Sequence, residues 1–131
     1  MELKDKITGI QHIGIPTSDI QQTIMFYQSL GFTVAHEAVN PQTGDRVAFL
    51  QLKNLMMEVY ESGEATHRIG AIDHVALDVV DIEDVFRTIK AAGHKLLDNE
   101  VRSLPFWEHG VKFFTILGPN QEKIEFCERI K

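Results

Sequence analysis

The stretch DHVALDVVDIE, residues 73–83, repeats a pattern that occurs 62 positions earlier as QHIGIPTSDIQ, residues 11–21. The positions that match at this offset are His12 and His74, Asp19 and Asp81, Ile20 and Ile82, and Gly31 and Gly93. Apolar residues also match on either side of these positions. A self-similarity that runs through a strand and a helix predicts an internally duplicated structure.

The repeat continues to the end of each half, but with a longer offset. MEVYE (57–61) aligns with IEFCE (124–128) at an offset of 67, so Glu58 matches Glu125. The second half has therefore gained about five residues in a loop. Each half then carries one histidine near its start and one glutamate near its end.

Periodicity predicts the same βαβββ order of elements in both halves. We expect strands at 10–15, 32–37, 46–52 and 55–61 in the first half, and at 72–79, 95–99, 111–117 and 123–127 in the second. Asp19 and Asp81 are N-cap candidates for the two helices, and a glycine ends each helix. The sequence predicts an α+β domain over 1–131, with modules at about 7–61 and 71–129 and a connector at 62–70.

Composition excludes several classes of function. The chain has 131 residues, of which 44% are hydrophobic, enough for one compact domain. Its net charge of -6, without a run of like charge, argues against a nucleic-acid partner. No apolar stretch approaches the roughly 20 residues of a membrane span, and the single cysteine, Cys127, cannot form an internal disulfide. We expect a cytoplasmic protein without a membrane partner.

The repeated histidines and glutamates are candidate metal ligands. The set consists of His12, Glu58, His74 and Glu125. Two imidazoles and two carboxylates suit a borderline divalent ion and leave coordination positions open for water or substrate. We expect one ion per site, with nickel or zinc first and cobalt, manganese or iron as alternatives.

A histidine or glutamate in an apolar strand also has a purely structural interpretation. A lone histidine there is more often a hydrogen-bonded core residue than a ligand, and a glutamate can face solvent. Ionised carboxylates are costly to bury without a partner, however, and the duplication places the same pair twice in apolar strands. The repeated pair therefore favours a metal site.

Three motifs resemble the vicinal oxygen chelate superfamily, which includes glyoxalase I (lactoylglutathione lyase), methylmalonyl-CoA epimerase, fosfomycin-resistance proteins and extradiol dioxygenases. The motifs are HIGIPTSDIQQTIMFYQSLGF (12–32), HVALDVVDIEDVFRTIKAAG (74–93) and GPNQEKIEF (118–126). The resemblance implies paired βαβββ modules that form a cupped mixed sheet around one metal site. Glyoxalase I has the ligand order His, Glu, His, Glu, whereas three-ligand relatives have two histidines and one glutamate. Glu58 therefore favours the lyase and isomerase branches.

The chemistry implied by this ligand set is proton abstraction next to a carbonyl. A metal that holds vicinal oxygens of a small-molecule carbonyl substrate stabilises an enediolate. We expect Glu125 to be the principal base and Glu58 the second acid or base. The leading prediction is a glyoxalase I-like lyase or isomerase. The alternatives are an epimerase of acyl-CoA or keto-sugar type and a non-catalytic, drug-binding protein of resistance type.

Substrate identity is less well defined by the sequence. Glutathione-using bacterial glyoxalases carry an arginine and an asparagine at the positions of Pro16 and Ser62, so a glutathione substrate is in doubt. The cationic residues that could compensate are Arg46, Arg102 and Lys112. Each is also well explained as a solvated surface charge.

The loop SLPFWEHG (103–110) lies where the second half has its extra residues. Phe106 and Trp107 either cap a small apolar pocket or only pack the loop, and His109 could contact a polar group of the substrate. The substrate-binding candidates are therefore Arg46, Phe106, Trp107 and His109. The resemblance also implies a homodimer.

Overall fold

The computed structural model of the chain describes residues 2–119 and 121–131, so Asn120 in the predicted GPNQ turn lies outside the described residues. The helices are α1 (Leu3–Lys6), α2 (Ile20–Ser29) and α3 (Ile82–Ala91). The strands are β1 (Ile7–Thr17), β2 (Thr33–Val39), β3 (Arg46–Leu52), β4 (Leu55–Glu61), β5 (His74–Val79), β6 (Lys95–Leu96), β7 (Arg102–Leu104), β8 (Val111–Leu117) and β9 (Lys123–Arg129). The predicted α+β class is confirmed. None of the described helices combines the length and the apolar character that a membrane span requires.

The chain divides into two compact units. The first unit is His12–Asp73, and the second combines the N-terminal segment through Gln11 with His74–Lys131. Strand β1 therefore contributes its first five residues to the second unit and the others to the first.

In the first unit the strand order is β2-β3-β4-β1. Strand β1 runs parallel to β4, whereas β3 is antiparallel to both β2 and β4. Helix α2 begins after Asp19, whose carboxylate accepts a hydrogen bond from the Gln22 amide at 3.0 Å, as the predicted cap requires. The helix packs on one face of these strands, and the core consists of Ile20, Ile24, Phe32, Ala48, Leu50, Met57 and Val59.

In the second unit the order is β5-β9-β8-β6, and β7 also pairs with β8. Strand β5 is parallel to β9, and the other pairs are antiparallel. Helix α3 covers one face, and the core consists of Val79, Ile82, Val85, Ile89, Phe114, Ile116 and Phe126. Both units thus carry a helix on one face, which leaves the opposite face to the alternate residues of each strand.

The observed bounds of β3, β4 and β8 equal the predicted ones, whereas β6 is shorter than expected. Strand β6 ends at Leu96, and Asp98 Oδ2 then accepts a hydrogen bond from the Thr115 amide at 2.9 Å. The Asp98 side chain thus takes the place of a backbone carbonyl as the acceptor for Thr115, and the pairing of β6 with β8 ends there. Strand β7 and helix α1 were not predicted, because neither segment has a clear period.

The second helix has a different cap from the one expected. Asp81 occupies the N-cap position with φ 57°, and its side chain accepts no capping hydrogen bond. Instead, Glu128 Oε1 accepts from the Ile82 amide at 3.0 Å. A carboxylate from β9 therefore satisfies one of the amides at the N-terminus of α3, and it also offsets the positive end of the helix dipole.

Lys6 attaches the N-terminal segment to α3. Its ammonium group is buried and forms ion pairs with Asp84 and, at 3.3 Å, with Asp81. The backbone reinforces this attachment, because the Val80 amide donates to the Lys6 carbonyl at 2.9 Å.

Replacing Lys6 by methionine should lower the free energy of unfolding by about 1–2 kcal/mol, because two carboxylates would lose their shared cation. This loss of stability is smaller than the loss expected for a fully buried ion pair, because Asp81 is exposed and can be hydrated. Lys4→Met is the matched control, because Lys4 lies on the same short helix with its side chain in solvent. Urea denaturation measures both variants, and equal midpoints would show that the buried pairs contribute nothing.

Candidate metal centre

The first unit holds one histidine and one glutamate on adjacent parallel strands. Glu58 on β4 is paired with Gly14 on β1, two residues after His12, so both side chains leave the same face of the strands. His12 Nε2 lies 3.4 Å from Glu58 Oε1. The side chains are 3% and 13% exposed, respectively. The ring of Phe49 meets the His12 ring edge-on, with 5.7 Å between centroids, and restricts its orientation.

The second unit repeats this arrangement. Glu125 on β9 is paired with Ala76 on β5, two residues after His74. His74 Nε2 lies 3.8 Å from Glu125 Oε1, and these side chains are 9% and 13% exposed. In both units the glutamate is therefore paired with the residue two positions after the histidine. The duplication seen in the sequence is preserved in strand register, strand direction and burial.

The geometry of each pair fits two ligands of a common ion. The separations of 3.4 and 3.8 Å exceed the roughly 2.9 Å of a strong N–H···O hydrogen bond. Two ligand atoms that each lie about 2.1 Å from a metal are about 3.0–3.4 Å apart at octahedral to tetrahedral angles. The donor types and their spacing therefore suit a divalent cation, and a small adjustment of the Glu125 side chain would bring the second pair into this range.

Arg46, the first substrate-binding candidate, lies on the other face of its strand from Glu58. It begins β3 and shares the strand alternation of Ala48 and Leu50, which pack under α2. Phe49, by contrast, is paired directly with Glu58. The structure therefore does not bring Arg46 to the face that carries the His12–Glu58 pair.

The loop candidates occupy three different environments. Phe106 is buried, Trp107 is half-buried with φ 64°, and His109 is exposed with its Nε2 3.7 Å from Glu108. Of the other cationic candidates, Arg102 pairs with Asp98 at 3.4 Å and Lys112 with Glu83 at 3.8 Å. His109 lines a cavity of about 990 Å³ in the second unit, and its predicted contact with a polar group of the substrate remains a prediction.

Comparison with known proteins identifies the family. The family model described as "Glyoxalase/Bleomycin resistance protein/Dioxygenase superfamily" matches residues 9–126. The chain belongs to this superfamily. The predicted resemblance to the vicinal oxygen chelate proteins is thereby confirmed.

Individual proteins are similar to this chain in sequence or in fold. A protein of Bacillus subtilis (strain 168) with the name "Uncharacterized protein YwbC" is 29% identical over 127 residues, which cover 92% of this chain and 97% of that protein. The solved structure of hypothetical protein BH1468 from Bacillus halodurans C-125 matches with a TM-score of 0.74 and 25% identity, over 93% of this chain and 94% of that one. Methylmalonyl-CoA epimerase from Mycobacterium tuberculosis matches with a TM-score of 0.77 and 22% identity, over 95% and 90% of the two chains. At 22% identity the epimerase shows the same fold only.

Arg129, on the face that carries Glu125, is not among the residues predicted from the sequence. Arg129 ends β9 and shares the strand alternation of Glu125 and Cys127. The signal was present in this alternation, because Arg129 lies an even number of residues after Glu125 on the same strand. The Arg129 guanidinium lies over the ring of Trp107. No local sequence pattern connects two residues so far apart in the chain.

Proposed function

We propose that this superfamily member is a divalent-metal-dependent enzyme that moves a proton at the carbon next to a carbonyl group. The observation that supports it is the duplicated His–Glu pair, with the same register and similar burial in each unit. A single buried His–Glu pair can be explained by a purely structural role. Two copies that keep both donor types in protected positions are better explained by a shared chemical task.

The proposed ligands are His12 and Glu58 in the first unit and His74 and Glu125 in the second. A divalent ion held by these groups would act as a Lewis acid on the substrate carbonyl and make the neighbouring C–H more acidic. Nickel and zinc remain the first expectation, because the mixed imidazole and carboxylate set suits borderline ions. The predicted homodimer and cytoplasmic location remain predictions.

We assign the proton transfer to Glu125 as principal base and to Glu58 as the second acid or base. Both carboxylates are largely withdrawn from water, with side chains 13% exposed, and a carboxylate in such a position can take up a proton from bound substrate. Glu125 lies on β9, the strand that leads to the large cavity of the second unit through Glu128 and Arg129. A substrate held in that cavity would have its reacting carbon within reach of β9.

The reaction remains open between two types. A glyoxalase I-like isomerisation of a hemithioacetal was the leading prediction, but Pro16 and Ser62 occupy the two positions that bind glutathione in glutathione-using relatives. These residues cannot make the same charged and amide contacts. The substitution favours the alternative, an epimerase that acts on a carbonyl compound such as an acyl-CoA. Both reactions begin with the same proton abstraction.

Metal titration tests the proposal. Chelator-treated protein should bind one nickel or zinc ion per His/Glu set in a calorimeter, and His74→Ala should weaken the affinity by more than about 100-fold. His94→Ala is the matched control, because His94 is an exposed histidine in the same unit. Circular dichroism would confirm that each variant is folded. Folded wild-type protein that binds neither ion, or a His74→Ala variant with unchanged affinity, would refute a metal enzyme.

A further inference from the structure

The second unit contains a cavity of about 990 Å³ at the end of β9. Its lining includes Thr8, Gln11, Asp78, His109 and Arg129, which come from β1, β5, β9 and the loop before β8. All of these residues belong to the same compact unit as His74 and Glu125.

Strand alternation places two residues of the cavity lining, Asp78 and Arg129, on the face that carries Glu125. On β9, Ile124 and Phe126 pack against the helix-covered core. Glu125 and Arg129 therefore point to the opposite face. On β5, the same alternation puts Asp78 on the face of His74, because Leu77 and Val79 belong to the core side. The proposed base thus shares its face with Asp78 and Arg129, whereas Val79 and Glu128 line the cavity from the helix-covered side.

Arg129 is held in the cavity wall by an aromatic ring. Its guanidinium carbon lies 3.8 Å from the centroid of the Trp107 ring. In residues 2–119 and 121–131, no carboxylate lies within ion-pair distance of this guanidinium. A stacked guanidinium keeps its N–H groups at the ring edge, where they can donate to an anion in a planar, bidentate fashion.

Two of the acidic side chains that line the cavity are engaged elsewhere, and a third, Glu108, lies beside His109 with its Oε1 3.7 Å from the ring Nε2. Asp78 accepts hydrogen bonds from Thr8 Oγ1 at 2.7 Å and from Gln11 Nε2 at 2.8 Å. Glu128 accepts from the Ile82 amide at 3.0 Å. These internal donors occupy the two acids, so neither neutralises Arg129. Arg129 is exposed and has no acidic partner among the described residues, so an anion from solution can reach its guanidinium.

The loop that carries Trp107 is fixed on both sides. Phe106 is buried, and the Ile130 amide donates to the Gly110 carbonyl at 2.9 Å. Trp107 itself adopts φ 64°, a left-handed conformation that is rare for a bulky residue and requires support from its surroundings. The ring and the guanidinium are therefore positioned before any ligand arrives, which lowers the entropic cost of binding.

We propose that Arg129, stacked on Trp107, binds an anionic group of the substrate, either a carboxylate or a phosphate. Arg129 lies four positions after Glu125, which corresponds to about 13 Å along a strand. The anionic group is therefore several bonds away from the carbon that loses its proton. This inference rests on the proposed function, since it takes Glu125 as the base, and it narrows the substrate class to carbonyl compounds with a distant negative charge.

Fluorescence offers a direct test, because Trp107 is the only tryptophan in the chain. Metal-free protein is titrated with inorganic phosphate and, separately, with succinate at constant ionic strength. We expect a saturable change of tryptophan emission with at least one anion. Arg129→Gln should weaken that binding at least tenfold. Arg68→Gln removes the same charge from an exposed loop of the other unit and should leave it unchanged.

Each outcome of these titrations either supports or overturns the proposed anion site. A response to phosphate alone assigns a phosphate ester, a response to succinate alone assigns a carboxylate, and a response to both supports the shared anion site. No saturable change, equal affinity in Arg129→Gln, or equal weakening in Arg68→Gln overturns the proposal. If Arg129→Gln does not fold, Arg129→Lys carries the same test, because it keeps the charge but loses the planar fork. Since the titration needs no metal, its failure is distinguishable from a failure of metal binding by His12, Glu58, His74 and Glu125.

Discussion

Glu125→Gln should lower turnover about a thousandfold and change metal affinity by less than about tenfold. The amide keeps an oxygen donor at the position of the carboxylate, so a ligand remains. It cannot accept the substrate proton at neutral pH, so the base is lost. Among the predicted variants this one should have the largest effect on activity, because proton abstraction is the step that we propose for the site.

The measurement is exchange of the substrate α-proton with deuterated solvent, followed by NMR on protein loaded with nickel or zinc. A methylglyoxal–glutathione hemithioacetal and a 2-substituted malonyl-CoA represent the two reaction types. Glu100→Gln is the control, because Glu100 is an exposed glutamate in a loop of the same unit. Wild-type exchange rates in Glu125→Gln would remove Glu125 from its role. A loss confined to Glu58→Gln would transfer the base to Glu58.

Phe114→Ala should destabilise the protein by about 3–5 kcal/mol. Phe114 is fully buried on β8, where its ring stacks on Phe126 and meets Phe86 edge-on, each with centroids 5.0 Å apart. Removal of the ring leaves a cavity between α3 and the strands that carry Glu125. Two aromatic contacts are lost in addition to the buried area. Such a loss is a large fraction of the stability of a typical domain.

Chemical denaturation monitored by circular dichroism would measure this change. Phe26→Ala provides the comparison, because Phe26 lies on α2 with its ring exposed. It should cost less than about 1 kcal/mol. A similar midpoint shift for both variants would mean that the α3 core does not limit stability. Phe114→Leu should fall between them, since it retains most of the buried volume.

The order and type of the main elements were predictable because their signals are local. Short apolar runs between turn residues mark β3, β4 and β8, and these strands have the predicted bounds. Asp19 caps α2 through its own side chain, three residues before its partner amide. Asp81 failed as a cap for α3 because a distant carboxylate, Glu128, takes the Ile82 amide. That contact depends on how β9 lies beside the helix, which no local pattern encodes.

The candidate ligands were also visible in the sequence, because duplication repeats both residue types. The arrangement of these ligands in space could not be predicted from the sequence. Only strand pairing shows that each glutamate lies opposite the residue two positions after its histidine. Arg129 escaped notice for the same reason, since its partner, Trp107, lies 22 positions away in a loop without periodicity.

The sequence by itself determined the duplicated βαβββ order, the family and the four candidate ligands, because periodicity, caps and repeats act over a few residues or are copied whole. Tertiary structure alone decided which face each side chain occupies, which carboxylate caps α3 and which arginine stacks on the single tryptophan. These features depend on strand register and on the path of a loop. Both are determined by burial and hydrogen bonding between segments far apart in the chain.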